Sequence, residues 1–186
     1  MPVGNYFTEG YARDVAAFGS LAYVVDQPTG FSVLDVSTQG APVEVSTQQT
    51  AGSPMIIAMS PDRIDDAKAR RIACVIGAGR SPQAGWLQVY DVTDPKAPVK
   101  VAAYKTPGRA VRAAVVGALA YVADAEGLQI VDLSEPAKPA LAQSYKTVGP
   151  ARDVAVADSL VFVVAGQPAS STGDTGASVI VLRRTT

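Results

Sequence analysis

Four arginines, Arg13, Arg80, Arg109 and Arg152, are the residues of this chain best suited to hold a ligand. A guanidinium pairs bidentately with carboxylate or phosphate, so four of them on one rim would grip an anion. A structural reading competes for two of them. Arg13 and Arg152 both sit in the tetrapeptide Ala-Arg-Asp-Val, where each would pair with a carboxylate of a neighbouring repeat. Trp86, the only tryptophan, would stack on a sugar, anchor a partner or pack inside the core. Tyr11, Gln83, Glu126 and Asp174 complete the candidate ligand-binding set. Glu9, Glu126 and Asp174 would be the carboxylates of a glycoside hydrolase, if two of them stood about 5–9.5 Å apart across a cleft.

Other chemistries find little support. Histidine is absent, which removes Ser-His-Asp and Cys-His catalysis and His-ligated zinc. The one cysteine, Cys74, lies in the apolar run IACVIG, where a thiol is a small buried hydrophobe and not a nucleophile. Ser171 to Gly176 is rich in oxygen but carries a single carboxylate and lacks EF-hand spacing. Gly77-Ala-Gly-Arg80 resembles a phosphate-binding glycine loop, yet no convincing helix follows it. No metal and no cofactor is expected. A net charge of −1 argues against nucleic acid, whose phosphates demand clustered Lys and Arg. No apolar run approaches the roughly 20 residues of a membrane helix. MPVGNYFTEG lacks a basic region followed by an apolar stretch, so no signal peptide is expected there.

The elements that must position these residues form a repeat. Each repeat opens on a glycine and a short strand: Gly10 to Val15, Gly52 to Ile57, Gly108 to Ala113 and Gly149 to Val154. A second strand follows as LAYVVD (21–26), IACVIG (72–77), LAYVAD (119–124) and LVFVVA (160–165). The third reads GFSVLDVS (30–37), GWLQVYDVTDP (85–95), GLQIVDLSEP (127–136) and GASVIVLR (176–183). A weaker fourth reads APVEVSTQQT (41–50), APVKVAAYKT (97–106) and KPALAQSYKT (138–147). The opening glycines lie 42, 56 and 41 residues apart, close to the roughly 40–45 residues of a propeller blade. Short runs rich in Val, Ile and Tyr between Gly, Pro, Asp and Ser read as strands. Only Pro61 to Arg71 suits a short surface helix, or else an irregular loop.

The chain is therefore expected to be all-β, a single β-propeller domain over residues 1–186 with four four-stranded blades, at about 10–50, 51–106, 107–147 and 148–186 plus 3–8. The last assignment follows because the fourth repeat has no fourth strand of its own. Asn5-Tyr6-Phe7-Thr8 aligns with Ala103 to Thr106 and with Ser144 to Thr147. The N-terminal strand would thus complete the last blade and leave no long bare edge. The alternative is half of an eight-bladed ring built by two chains, the first strand completing the partner's last blade.

In a propeller the turns from strand four to the next strand one share a face with the turns from strand two to strand three, and that face is the expected binding surface. Two of the latter turns are enlarged, Gly77 to Gly85 and Gly166 to Gly176. Asp14 and Asp153 begin inner strands, with Arg112 at the matching place in the third repeat, which suggests pairing between blades or a polar channel lining. Asp35, Asp91 and Asp132 should accept hydrogen bonds from their own turns, with Val181 in that place in the fourth repeat. The loop Ser60 to Arg71, on the opposite face, is a candidate contact surface.

Gly127-Leu-Gln-Ile-Val-Asp-Leu-Ser, with AYVVD, AYVAD and the DP-x-x-P turns, resembles the LVIVD-repeat family. The resemblance is strongest in the third repeat, good in the first and weaker in the second and fourth. It implies a β-propeller and favours an exported protein, and it transfers no catalytic residue, because fold does not fix function. The leading functional expectation is a non-catalytic binding or assembly module whose partner is a protein or a small polar or anionic ligand. The carboxylate-dependent hydrolase and a purely structural half-propeller, as in a homodimer, are the alternatives.

Overall fold

The structure, a computed structural model, describes residues 4–38, 40–60, 70–78, 85–166 and 177–184. Fifteen strands fall into four antiparallel sheets, each built in chain order. The first holds β1 (Tyr11–Phe18), β2 (Leu21–Gln27), β3 (Gly30–Asp35) and β4 (Val43–Gln49). The second holds β5 (Ser53–Met59), β6 (Ile72–Ala78), β7 (Gly85–Asp91) and β8 (Val99–Thr106). The third holds β9 (Arg112–Val116), β10 (Leu119–Asp124), β11 (Gly127–Asp132) and β12 (Ala140–Lys146). The fourth holds β13 (Ala151–Ala157), β14 (Leu160–Ala165) and β15 (Ser178–Arg183). Among the described residues there is no helix. Residues 61–69, where a helix or loop was expected, lie outside the described residues, as do 79–84 and 167–176 of the two enlarged turns.

Local chemistry sets the hairpins. Gly19 and Gly117 open the first turns of blades one and three with φ of 58° and 56°. Such left-handed residues match the twist of a two-residue hairpin. Blade four uses Asp158 there, at φ 50°, a residue type that tolerates this conformation. The first strand of blades one, two and four carries a bulge, at Ala12/Asp14, Pro54/Ile56 and Ala151/Asp153. A bulge adds local twist, as a propeller blade requires, and it accommodates Pro54.

The sheets stack face to face, and three apolar cores fill the spaces between neighbours. Tyr23, Val25, Phe31 and Val33 of blade one meet Ile57, Ala73, Val75 and Tyr90 of blade two. The Phe31 and Tyr90 rings meet edge to face at 5.0 Å. A second core joins blade two to blade three through Cys74, Ile76, Leu87, Val115 and Val122. The third joins blade three to blade four through Tyr121, Leu128, Val154, Val161 and Val163.

Two expectations need correction. The register Leu160↔Arg183 matches Leu21↔Asp35, Ile72↔Asp91 and Leu119↔Asp132, so Arg183, not Val181, occupies the recurrent aspartate's place. Strand pairing overrides the alignment because the glycine of GASVIVLR does not begin its strand as the other three do. The fourth sheet has three strands among the described residues, and residues 4–8 form none. Those residues lie against blade one instead: the Tyr6 hydroxyl donates to Glu44 of β4, and Gly4 abuts Gly40.

Candidate functional site

The turns that enter each blade do come together with the second-to-third turns, and buried aspartates tie them. Asp124, at the end of β10, accepts from the backbone N–H of Gly108 at 3.2 Å, Glu126 at 2.8 Å and Gly127 at 3.0 Å. Asp26, its counterpart at the end of β2, accepts from Gly10 N–H at 2.8 Å and from the Thr29 hydroxyl at 3.2 Å. Both side chains are buried. Burial pushes the Asp124 carboxyl up from its ordinary value, and the N–H donors pull it back only in part. The entry turns are closed the same way: Thr106 and Thr147 donate to the carbonyls of Gly108 and Gly149, both at 2.6 Å. These aspartates were missed as site residues. Their signal was the acid ending AYVVD and AYVAD, absent from the second and fourth repeats, where Gly77 and Ala165 stand.

On this scaffold Arg13, Arg109 and Arg152 meet neutral partners among the described residues. Arg13 Nε donates to Gln27 Oε1 at 2.8 Å, and Arg152 Nε to the Gly166 carbonyl at 3.5 Å. Among the described residues neither Arg13 nor Arg152 makes the expected pair with a carboxylate of an adjacent blade; each reaches the end of the second strand of its own blade. Arg109 Nη2 lies 3.7 Å from the Met55 sulfur of blade two. All three side chains are exposed, as are Tyr11 and Glu126. Arg80, Gln83 and Asp174 lie outside the described residues. Of the hydrolase carboxylates, Glu9 sits in the entry turn of blade one and Glu126 in a turn of blade three.

Trp86 takes the packing role. It is partly buried against the core between blades one and two, with its indole beside Gly52 and Gly77. The acid–arginine alternation is a contact between blades: Arg112 Nε stands 3.4 Å from Asp153 Oδ1, and Asp14 Oδ2 accepts from the Ile57 N–H at 3.0 Å. Asp35, Asp91 and Asp132 each accept the N–H two residues on, from Ser37, Thr93 and Ser134 at 2.7–3.0 Å, as expected of Asp in turns.

Concavities among the described residues include a shallow one of about 500 Å³ on blade one, lined by Ala12, Arg13, Asp14, Val15 and Val24. A small polar one of about 60 Å³ is lined by Tyr6, Glu9, Asp26, Thr29 and Glu44, among others. A groove of about 290 Å³ opens between β12 and β15, away from the predicted residues, with Tyr145, Gln143, Leu182 and Arg184 on its walls. Among the described residues no cluster of three or more acidic or cysteine side chains could hold a metal ion.

Antiparallel meanders, three of four strands and one of three among the described residues, stacked face to face with this turn chemistry define the class: the chain is a β-propeller protein of four blades. Residues 9–50 and 107–147, blades one and three, match the family model described as the LVIVD repeat. No curated protein matches it. Among solved structures it is similar to the computationally designed Ika4 protein, with a TM-score of 0.61 and 11% identity over 96% of this chain and 94% of that one. It is also similar to apo AztD from Citrobacter koseri (TM-score 0.60, 18% identity) over 92% of this chain and 44% of that one. The designed Ika8 protein matches with a TM-score of 0.59 and 12% identity over 94% of this chain and 47% of that one. The chain therefore spans about half the length of AztD and Ika8. At such identities the likeness concerns fold alone.

Proposed function

We propose that the chain is a non-catalytic binding module that presents the face of its entry turns to an anionic group, on a small molecule or on an acidic protein surface. The observation that carries this reading is the set Arg13, Arg109 and Arg152. All three are exposed on one face, and among the described residues each is bonded to a neutral acceptor. A guanidinium without a carboxylate keeps its charge and its paired donors for a ligand. The turns beneath are held rigid by Asp26 and Asp124, so little order need be gained on binding.

The test is thermal melting with citrate, against sodium chloride of equal ionic strength. Wild type is compared with a variant carrying Arg13→Gln, Arg109→Gln and Arg152→Gln. Citrate should raise the wild-type Tm saturably, and the variant's Tm by less than half as much. Equal shifts in both proteins, or none in wild type beyond the salt control, would overturn the assignment.

A further inference from the structure

We propose that the two outward faces of this four-blade arc, on blade one and blade four, are the two halves of one interface, and that a second copy of the chain fills both to give an eight-bladed ring. The proposal is independent of the arginine face.

The repeat itself reports what is uncovered. In blades one to three the second strand points two residues at the following blade: Tyr23 and Val25, Cys74 and Ile76, Tyr121 and Ala123. All six are fully buried. Register places Phe162 and Val164 at the same positions in blade four. Their cross-strand partners Val181 and Val179 share that face, because residues alternate faces along a strand. Val164, Val179 and Val181 are 41%, 64% and 52% exposed. The other side of the arc mirrors this. Ile57 of blade two and Val154 of blade four are buried against the preceding blade, whereas the equivalent Val15 of blade one is 60% exposed. So one face has the shape that receives a following blade and the other the shape that receives a preceding one. What each lacks is what the other end of the same chain offers, continuous with the three internal blade contacts.

The N-terminal segment supplies the second, separate argument. Its turn into blade one repeats the internal entry turns: Thr8 Oγ1 faces the Gly10 carbonyl at 3.5 Å, and Gly10 N–H donates to Asp26 as Gly108 N–H does to Asp124. Tyr6, at the place of Tyr104 of β8 in the repeat, lines the same small concavity as Asp26. Residues 5–8 thus occupy, relative to blade one, the place that the last strand of blade two occupies relative to blade three. They are set as the outer strand of a preceding blade. The outer edge of β15 is, conversely, without a strand among the described residues, and the groove between β12 and β15 stands open beside it.

Residues 4–8 lie on blade one and not beside β15, and no apolar core among the described residues links blade four back to blade one. Two such arcs, related by a two-fold axis, close with two identical junctions. By the registers Gly127↔Lys146 and Leu128↔Tyr145, Phe7 would pair with Ser178 and Tyr6 with Val179 of the second copy. Phe7 is 85% exposed, and Ser178 is exposed too.

Light scattering on a sizing column should give the mass of two chains for the 186-residue protein, and Val15→Asp, on the open face, should halve it while the circular dichroism spectrum stays that of a β protein. A Phe7→Cys, Ser178→Cys double variant should oxidise to a covalent pair of chains on a non-reducing gel, with Cys74 buried out of reach. A wild-type mass of one chain, or of any number other than two, overturns the proposal. So does a double variant that forms its disulfide only within one chain, which would mean a self-closed four-bladed ring, or that forms none under oxidation.

Discussion

The indole of Trp86 lies across the backbone of its cross-strand partner Gly77, so closely that a Cβ at Gly77 would stand 2.6 Å from Cζ2. The same Cβ would meet the Ser53 carbonyl at 2.2 Å. Glycine here is a space requirement and not a turn requirement. Gly77→Ala should destabilise the protein by about 1–3 kcal/mol, the usual cost of overpacking. Since Trp86 is the sole tryptophan, its emission reports the displacement directly. An alanine variant with unaltered urea midpoint and unaltered emission would contradict this packing.

Asp124 gives a pH dependence whose sign can be worked out. Its folded carboxyl titrates above its ordinary value, chiefly through burial. The folded state therefore holds the proton more tightly than the unfolded state. Stability must fall as pH rises from the ordinary aspartate range to the folded pKa, and level off above it. Asp35 and Glu44 act oppositely. Hydrogen bonds from Ser37 and from Tyr6 lower them, so their contribution is present above the ordinary range and lost as pH falls through the folded values. Thermal melts of wild type and Asp124→Asn across acid pH isolate the first effect. The wild-type advantage over the variant should shrink as pH rises through that window; a constant difference would mean that Asp124 is not raised.

The blades and their order were legible because the repeat carries its own punctuation: opening glycine, apolar second strand and glycine-led third strand recur in one order. Arg112 and Asp153 were legible as a pair between blades because opposite charges fell at one repeat position. Trp86 was not decidable, since its role depends on Gly52 and Gly77 leaving room for the ring, a fact of three strands together. The cross-blade pairing read for Arg13 and Arg152 is not found among the described residues, for a related reason. A long side chain can reach its own hairpin as easily as the next blade, and spacing along the chain does not record which. Asp26 and Asp124 escaped because a strand-ending Asp reads as a turn former, and only folding reveals that it anchors the next blade's entry.

Cys74 should behave as a hydrophobic core atom. It is fully buried on β6, and burial pushes its thiol up to about 12. The thiolate that would attack a disulfide reagent is therefore scarce and sterically shielded. Ellman's reagent should label no thiol in native protein at pH 8 and one thiol per chain in denaturant. Fast native labelling would require the core between blades two and three to open.

Two of the polar contacts that cross between blades should differ in weight. Arg112 and Asp153 are 3.4 Å apart, with side chains 44% and 57% exposed. Solvent screens such a pair, so a double-mutant cycle with alanine should give a coupling under ~1 kcal/mol that declines with salt. Asp14 instead accepts the backbone N–H of Ile57 at 3.0 Å, in a partly buried place. Removing that carboxylate leaves a strand donor without its charged acceptor, a loss of about 1.5–3 kcal/mol. Asp14→Ala should thus cost clearly more than Asp153→Ala in urea unfolding. The reverse order would show that the Asp14 carboxylate adds little to the contact of blade one with blade two.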